Sequence, residues 1–182
     1  MGTEFPGFSG PSASTEAPLE MLAACHLRIE RQCATLGRLI AHLAEHGVDA
    51  DARQAAERVM RYFDTSAIQH HADEEVDLFP ALIDSMAGSD AVCIREMTQG
   101  LAAEHRELEA RWRRLRGPLS EIAAGVMAPL ASEDVAGFVD FYRRHLARED
   151  QELLPMAQRL LSDADLAGVG RAMRERRGIK EP

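Results

Sequence analysis

The sequence predicts an all-α protein, an up-down-up-down four-helix bundle with a short additional helix at its C-terminus. Three observations carry this. Ala, Leu, Glu and Arg dominate, and aromatic residues make up only 5% of the 182 residues, a composition that suits helices better than sheet. Apolar residues recur at three- and four-residue spacing in four stretches, each long enough for a rod of roughly 37–45 Å. The breaks between the stretches are mostly short, so successive helices should pack as antiparallel neighbours. At this length one domain with a sizeable core is expected.

Residues 1–18 (MGTEFPGFSGPSASTEAP) are rich in Gly, Pro and Ser without periodicity and read as a flexible tail. The bundle is expected over 19–162, and 163–182 should form the short C-terminal helix and a tail. The first helix carries Leu22, His26, Ile29, Cys33, Leu36, Ile40 and Leu43 on one stripe, with Gly47 as its stop. The second carries Ala56, Met60, Phe63, Ala67, His70, Glu74 and Leu78; Pro80 should kink or end it. The third starts at a Ser89-Asp90 cap and carries Ile94, Met97, Leu101, His105, Leu108, Trp112 and Leu115, with Gly117-Pro118 as its expected stop. The fourth starts at a Ser132 cap and carries Val135, Phe138, Tyr142, His145, Glu149, Leu153, Met156 and Leu160, with Pro155 inside it. Ser162 to Arg177 forms the fifth.

The net charge of −9 argues against nucleic acid or an anionic membrane as a partner. The basic clusters WRRLR (112–116) and RAMRERR (171–177) read as solvated helix faces or helix ends. Cys25, Cys33 and Cys93 are odd in number and lack CxxC spacing, which speaks against a disulfide framework or a thiolate zinc site. No apolar run approaches the roughly 20 residues that span a bilayer. A cytoplasmic protein is the expectation. Nothing in the sequence decides the oligomeric state.

Each long helix places one histidine on its apolar stripe. Satisfied core histidines would be the plainest account, and periodicity alone does not exclude it, because the seven histidines offer many such combinations. An internal repeat is stronger. HHADEEVDLFP at 70–80 aligns without gaps to HLAREDQELLP at 145–155, and AACHLRIERQCATL at 23–36 aligns to AAEHRELEARWRRL at 102–115. The chain is therefore two similar helix pairs, and packing the halves face to face brings His26, His70, His105 and His145 to one level of the core. The repeat matches His70 and Glu74 with His145 and Glu149, whereas His71 has Leu146 as its counterpart. His70 is then the inward member of the pair, and His71 an exposed or outer residue.

Carboxylates at Glu74 and Glu149 on a buried stripe are costly unless a positive charge sits between them. Four imidazoles and two carboxylates without thiolate suit a pair of iron or manganese ions, with zinc as a further choice. Such a set leaves coordination positions open to water or a small ligand. Neither Glu-x-x-His nor HExxH occurs, so a ferritin-like centre and a zinc-protease helix are not indicated.

With His26, HHADEEVDLFP, EHRELE and HLAREDQELLP in place, residues 19–162 resemble the hemerythrin-like, or HHE cation-binding, family. The resemblance implies a four-helix bundle holding a non-haem di-iron centre that binds dioxygen or nitric oxide, with His26, His70, Glu74, His105, His145 and Glu149 as ligands and the two glutamates bridging. It implies a binding or sensing role more than an enzyme, with slow peroxide or nitric oxide reduction and iron donation to damaged centres as alternatives. A metal-free helical interaction module is the alternative of another class. Oxygen carriers of this family use a fifth histidine on the third helix, where this chain has Glu109; His46 is the candidate replacement. The carriers have Asp five residues after the histidine of helix four, and this chain offers both Glu149 and Asp150; the repeat favours Glu149. Glu30 and Glu109, four residues after His26 and His105, are extra ligands, outer acceptors of imidazole N–H or surface acids, the last being simplest. Tyr142, one turn before His145, is a core tyrosine placed to reach a bound oxygen species.

Overall fold

The computed structural model describes residues 16–86 and 90–179, and among these every regular element is helical. The N-terminal tail up to residue 15 and the Ser89 cap lie outside the described residues. Helix α1 (Pro18–His46) begins on Pro18, whose missing N–H is no loss in the first turn. It ends at Gly47, whose φ of +69° disfavours any side chain. Asp49 then caps α2 (Ala50–Arg61), its carboxylate accepting the Ala52 N–H at 2.9 Å. So short a reversal sets α2 antiparallel to α1.

The second rod runs on from α2 through a π-helical turn (Tyr62–Ser66), α3 (Ala67–Ala72), a second π-helical turn (Asp73–Leu78) and α4 (Phe79–Ser85). Pro80 does not end it. The Phe79 N–H closes the π turn on the Glu74 carbonyl, and Pro80 follows at the start of α4, where no donor is needed. The fourth rod repeats this device with α6 (Ser132–Arg148), a π-helical turn (Glu149–Leu153) and α7 (Leu154–Leu160), the Leu154 N–H bonding to Glu149 and Pro155 following. Ser132 is the first helical residue of α6 and not its cap; Ala131 holds that place.

Helix α5 (Asp90–Ala123) corrects a further expectation. It passes Gly117-Pro118 and stops six residues later than the sequence suggested. An interior proline costs about 3 kcal/mol, but the extra turns bury Leu119 and Ile122 completely, worth roughly 1.5–3 kcal/mol each. The true stop is Gly125 at φ +87°, where the Gly125 N–H bonds to Ile122 and the Val126 N–H to Glu121, a Schellman closure. Last comes α8 (Asp163–Arg176), opened by a reciprocal Ser162–Asp165 capping box.

The four rods pack in a ring, α1 against α2, α2 against α5, α5 against α6 and α6 against α1. Two apolar regions fill it. One gathers Ile29, Leu36, Val59, Phe63, Ala67, Leu108, Trp112, Phe138 and Leu146; the other gathers Leu22, Leu78, Leu82, Ile94, Leu101, Leu153 and Ala157. Along successive rods the order of the two regions alternates, as up-down-up-down topology demands. Between them lies a polar layer, set by His26 between Leu22 and Ile29, His70 and Glu74 between Ala67 and Leu78, His105 between Leu101 and Leu108, and Glu149 between Leu146 and Leu153. Helix α8 packs on α1 and on the π turn that carries Glu74.

Candidate metal centre

The polar layer contains His26, His70, Glu74, His105, His145 and Glu149, every one of them buried. Both glutamates sit in the first residues of π-helical turns, a local form that re-aims side chains and is common at functional sites. Their carboxylates are shared between two sides. Glu74 Oε1 lies 3.7 Å from His70 Nε2 and 4.0 Å from His26 Nε2, while its Oε2 lies 3.4 Å from His105 Nε2. Glu149 Oε2 lies 3.3 Å from His26 Nε2, while its Oε1 lies 3.0 Å from His145 Nε2 and 3.5 Å from His105 Nε2. Each carboxylate thus turns one oxygen toward the His26/His70 side and the other toward the His105/His145 side.

Among the described residues, the Nε2 atoms of all four histidines and all four carboxylate oxygens of Glu74 and Glu149 are buried without a hydrogen-bond partner. Orphaned buried donors and acceptors cost roughly 1–3 kcal/mol each. That eight of them point at one another is the pattern expected of atoms that bind metal.

The other ring nitrogens are accounted for, with one exception. His26 Nδ1 pairs with Asp150 at 2.7 Å, His105 Nδ1 with Glu75 at 2.7 Å and His145 Nδ1 with Glu104 at 2.8 Å. A carboxylate behind an imidazole holds the N–H on Nδ1 and leaves Nε2 as the donor toward a metal. Glu104 in turn accepts from Arg148 at 2.7 Å. Two divalent ions would bring four positive charges, which with Arg148 offset the five carboxylates of Glu74, Glu149, Asp150, Glu75 and Glu104. The donor set therefore fits two ions in chemistry and in charge.

Without such ions the layer is an imidazolium–carboxylate cluster. Burial pulls the His26 pKa down, but its hydrogen bond to Asp150 and the nearby Glu149 and Glu74 carboxylates outweigh burial and raise it to about 12. His105 rises to about 10 against the same burial, through Glu149 and Glu74. Burial raises Glu149, yet the close imidazoles of His105, His145 and His26 hold it well below the usual carboxylate range. His70 and His71 are pushed down, first by burial and then by neighbouring histidines, and stay neutral. A metal can take Nε2 only from a neutral ring. Loading the stripped protein with a divalent ion at pH 7 is therefore expected to release at least the two protons of His26 and His105, and apparent affinity should rise with pH, less steeply above about 10, where His105 has lost its proton, and up to about 12, where His26 does. Calorimetry in buffers of different ionisation enthalpy measures the count, and no release would contradict the charge assignment.

His71 is not exposed, which removes one of the two readings drawn from its leucine counterpart and leaves the other. It is buried, stacked on His105 at 4.0 Å between ring centres, with Nε2 3.4 Å from the Tyr142 hydroxyl. Consecutive residues on a helix are about 100° apart, and a bundle helix has a neighbour on either side, so His70 turns to His26 (ring centres 5.0 Å apart) and His71 to α5 and α6. Leu146, its counterpart, is itself buried; an apolar counterpart marked a core position. His71, His105 and His145 offer three nitrogens within 4.8 Å of one another, and His26, His70, Glu74 and Glu149 form a second such group.

The remaining candidates separate cleanly. Glu149 faces inward, and Asp150 holds His26 from the half-exposed outer side. Glu30 and Glu109 are exposed surface acids. His46 lies at the exposed end of α1 against His42 and Glu45 and does not reach the layer. Glu75 and Glu104 were not singled out from the sequence; the acid five residues after each repeat histidine, Glu75 and Asp150, was a readable signal for the first, and nothing in the repeat marked the second.

The comparisons agree with this geometry. The pattern of the hemerythrin HHE cation binding domain matches residues 17–157. A protein of Haemophilus influenzae described as "Uncharacterized protein" is 32% identical over 169 residues, which cover 93% of this chain and 95% of that protein. With the match covering nearly all of the bundle and the whole of its buried histidine–glutamate layer, the chain belongs to the hemerythrin HHE cation-binding domain family.

Proposed function

We propose that the protein is a non-haem di-iron protein that binds or senses dioxygen or nitric oxide, with manganese or zinc as the other metals its donor set accepts. The observation that carries this reading is the sharing of Glu74 and Glu149 between two groups of orphaned imidazole nitrogens. Bound iron supplies a redox-active, oxygen-affine metal that bundle side chains alone do not provide. The chain's own residues do the rest. Asp150, Glu75 and Glu104 orient the rings, and Phe63, Trp112, Phe138 and Tyr142 pack edge and face against one another beside the layer, keeping water from it. The Tyr142 hydroxyl, 3.4 Å from His71, is the one phenol near the His105/His145 side.

Protein expressed in iron-replete medium is expected to carry about two iron ions per chain and to change its visible absorption when anaerobic samples meet air or nitric oxide. Fewer than one ion per chain would overturn the reading. His70→Ala is expected to lose metal from one position.

A further inference from the structure

The internal repeat makes the two halves of the polar layer comparable residue by residue, and they are not equal. His26 and His105 are counterparts, and so are their acceptors, Asp150 and Glu75, five residues after the repeat histidines. The same operation carries the His145–Glu104 pair onto His70 and position 25. Position 25 is a cysteine, buried beside the layer, and the fully buried His70 has no partner on Nδ1 among the described residues. The second asymmetry works in the same direction: the His105/His145 side has His71 as a third imidazole, where the His26/His70 side has none.

We infer that the two metal positions differ in affinity, the one built on His71, His105 and His145 holding its ion more tightly than the one built on His26 and His70, and that Glu104, matched by Cys25 in the other half, is the positioning residue that sets much of the difference. One position has three imidazoles, two of them oriented by carboxylates; the other has two imidazoles, one of them oriented. Removing such an outer acceptor typically costs 10–100-fold in metal affinity. The His26/His70 position is accordingly the one that gives up its ion first. This inference rests on the di-metal reading above.

The test uses the full chain, stripped of metal and titrated anaerobically with iron(II) against a chromophoric chelator. Repulsion between neighbouring ions separates two binding steps even at identical positions, so single-position variants are compared. His70→Ala leaves the His105/His145 position complete, and His145→Ala leaves the His26/His70 position complete. The remaining ion is expected to bind at least about tenfold more tightly in His70→Ala. Equal constants, or tighter binding in His145→Ala, overturn the inference while the wild type's two ions uphold the di-metal reading; a wild type that binds fewer than one ion overturns both. Within the His70→Ala chain, Glu104→Cys should weaken the remaining ion about 10–100-fold and Glu104→Gln, which keeps an acceptor oxygen, much less. No effect of Glu104→Cys, or an equal effect of both, overturns the role given to Glu104.

Discussion

A Glu149→Ala chain is expected to hold at most one iron ion and, stripped of metal, to lose roughly 3–5 kcal/mol of stability, the range for breaking a buried ion pair by removing one partner. The carboxylate lies within 3.5 Å of the Nε2 atoms of His26, His105 and His145, and it is a principal cause of the raised pKa of each. Without it three buried imidazoles each lose a close carboxylate, and both proposed metal positions lose a donor oxygen. Asp150→Ala is the informative contrast. Asp150 touches only the outer nitrogen of His26, so both ions should remain, with one bound about 10–100-fold more weakly. Metal content and urea melts of the stripped variants read both effects. Full metal loading in Glu149→Ala together with loss in Asp150→Ala would reverse the register given to these neighbours.

An Arg177→Ala chain is expected to be destabilised by about 3–5 kcal/mol although it lies outside the four-helix ring. Asp73, the residue before Glu74, has a fully buried carboxylate, and Arg177 donates to both of its oxygens, at 3.0 Å to Oδ1 and 2.5 Å to Oδ2, from the end of α8. Arg176 donates to the same carboxylate and reaches Asp77 at 2.7 Å. The basic end of RAMRERR is therefore a clasp and not a solvated face. Removing Arg177 leaves a buried charge half-paired beside the turn that aims Glu74. Arg176→Ala should cost less, since its side chain is more exposed than that of Arg177. In the Asp73→Asn/Arg177→Ala chain most of the loss should return, as no unpaired carboxylate remains. Urea denaturation of the wild type, Asp73→Asn, Arg177→Ala and the double variant gives the coupling energy; an Arg177→Ala cost below about 1 kcal/mol would reduce the clasp to an ordinary surface pair.

Much of the fold was legible because a helix writes its buried face into residue spacing. The stripes through Leu22, His26 and Ile29, or through Leu101, His105 and Leu108, need no partner helix to be read. Breakers were less legible. Pro80 was expected to kink or end its helix, yet the preceding π turn carries the rod past it, as another does at Pro155, which the stripe already placed inside its helix, and Pro118 is overridden by the burial of Leu119 and Ile122. At Pro118 tertiary packing outweighed a local preference of about 3 kcal/mol, whereas at Pro80 and Pro155 the π turn leaves the proline in a first turn where no donor is needed.

By itself the sequence determined the all-helical class, the four stripes and, through the repeat, which histidines and glutamates reach one level of the core, because all of these are spacings along a single chain. The tertiary structure alone decided that His71 turns inward beside His70, that Asp150 braces His26, that Glu75 and Glu104 hold His105 and His145, and that Arg176 and Arg177 close on Asp73. Each of those contacts joins side chains on different rods, and it depends on how the rods are rotated against one another, which the spacing within one helix does not encode.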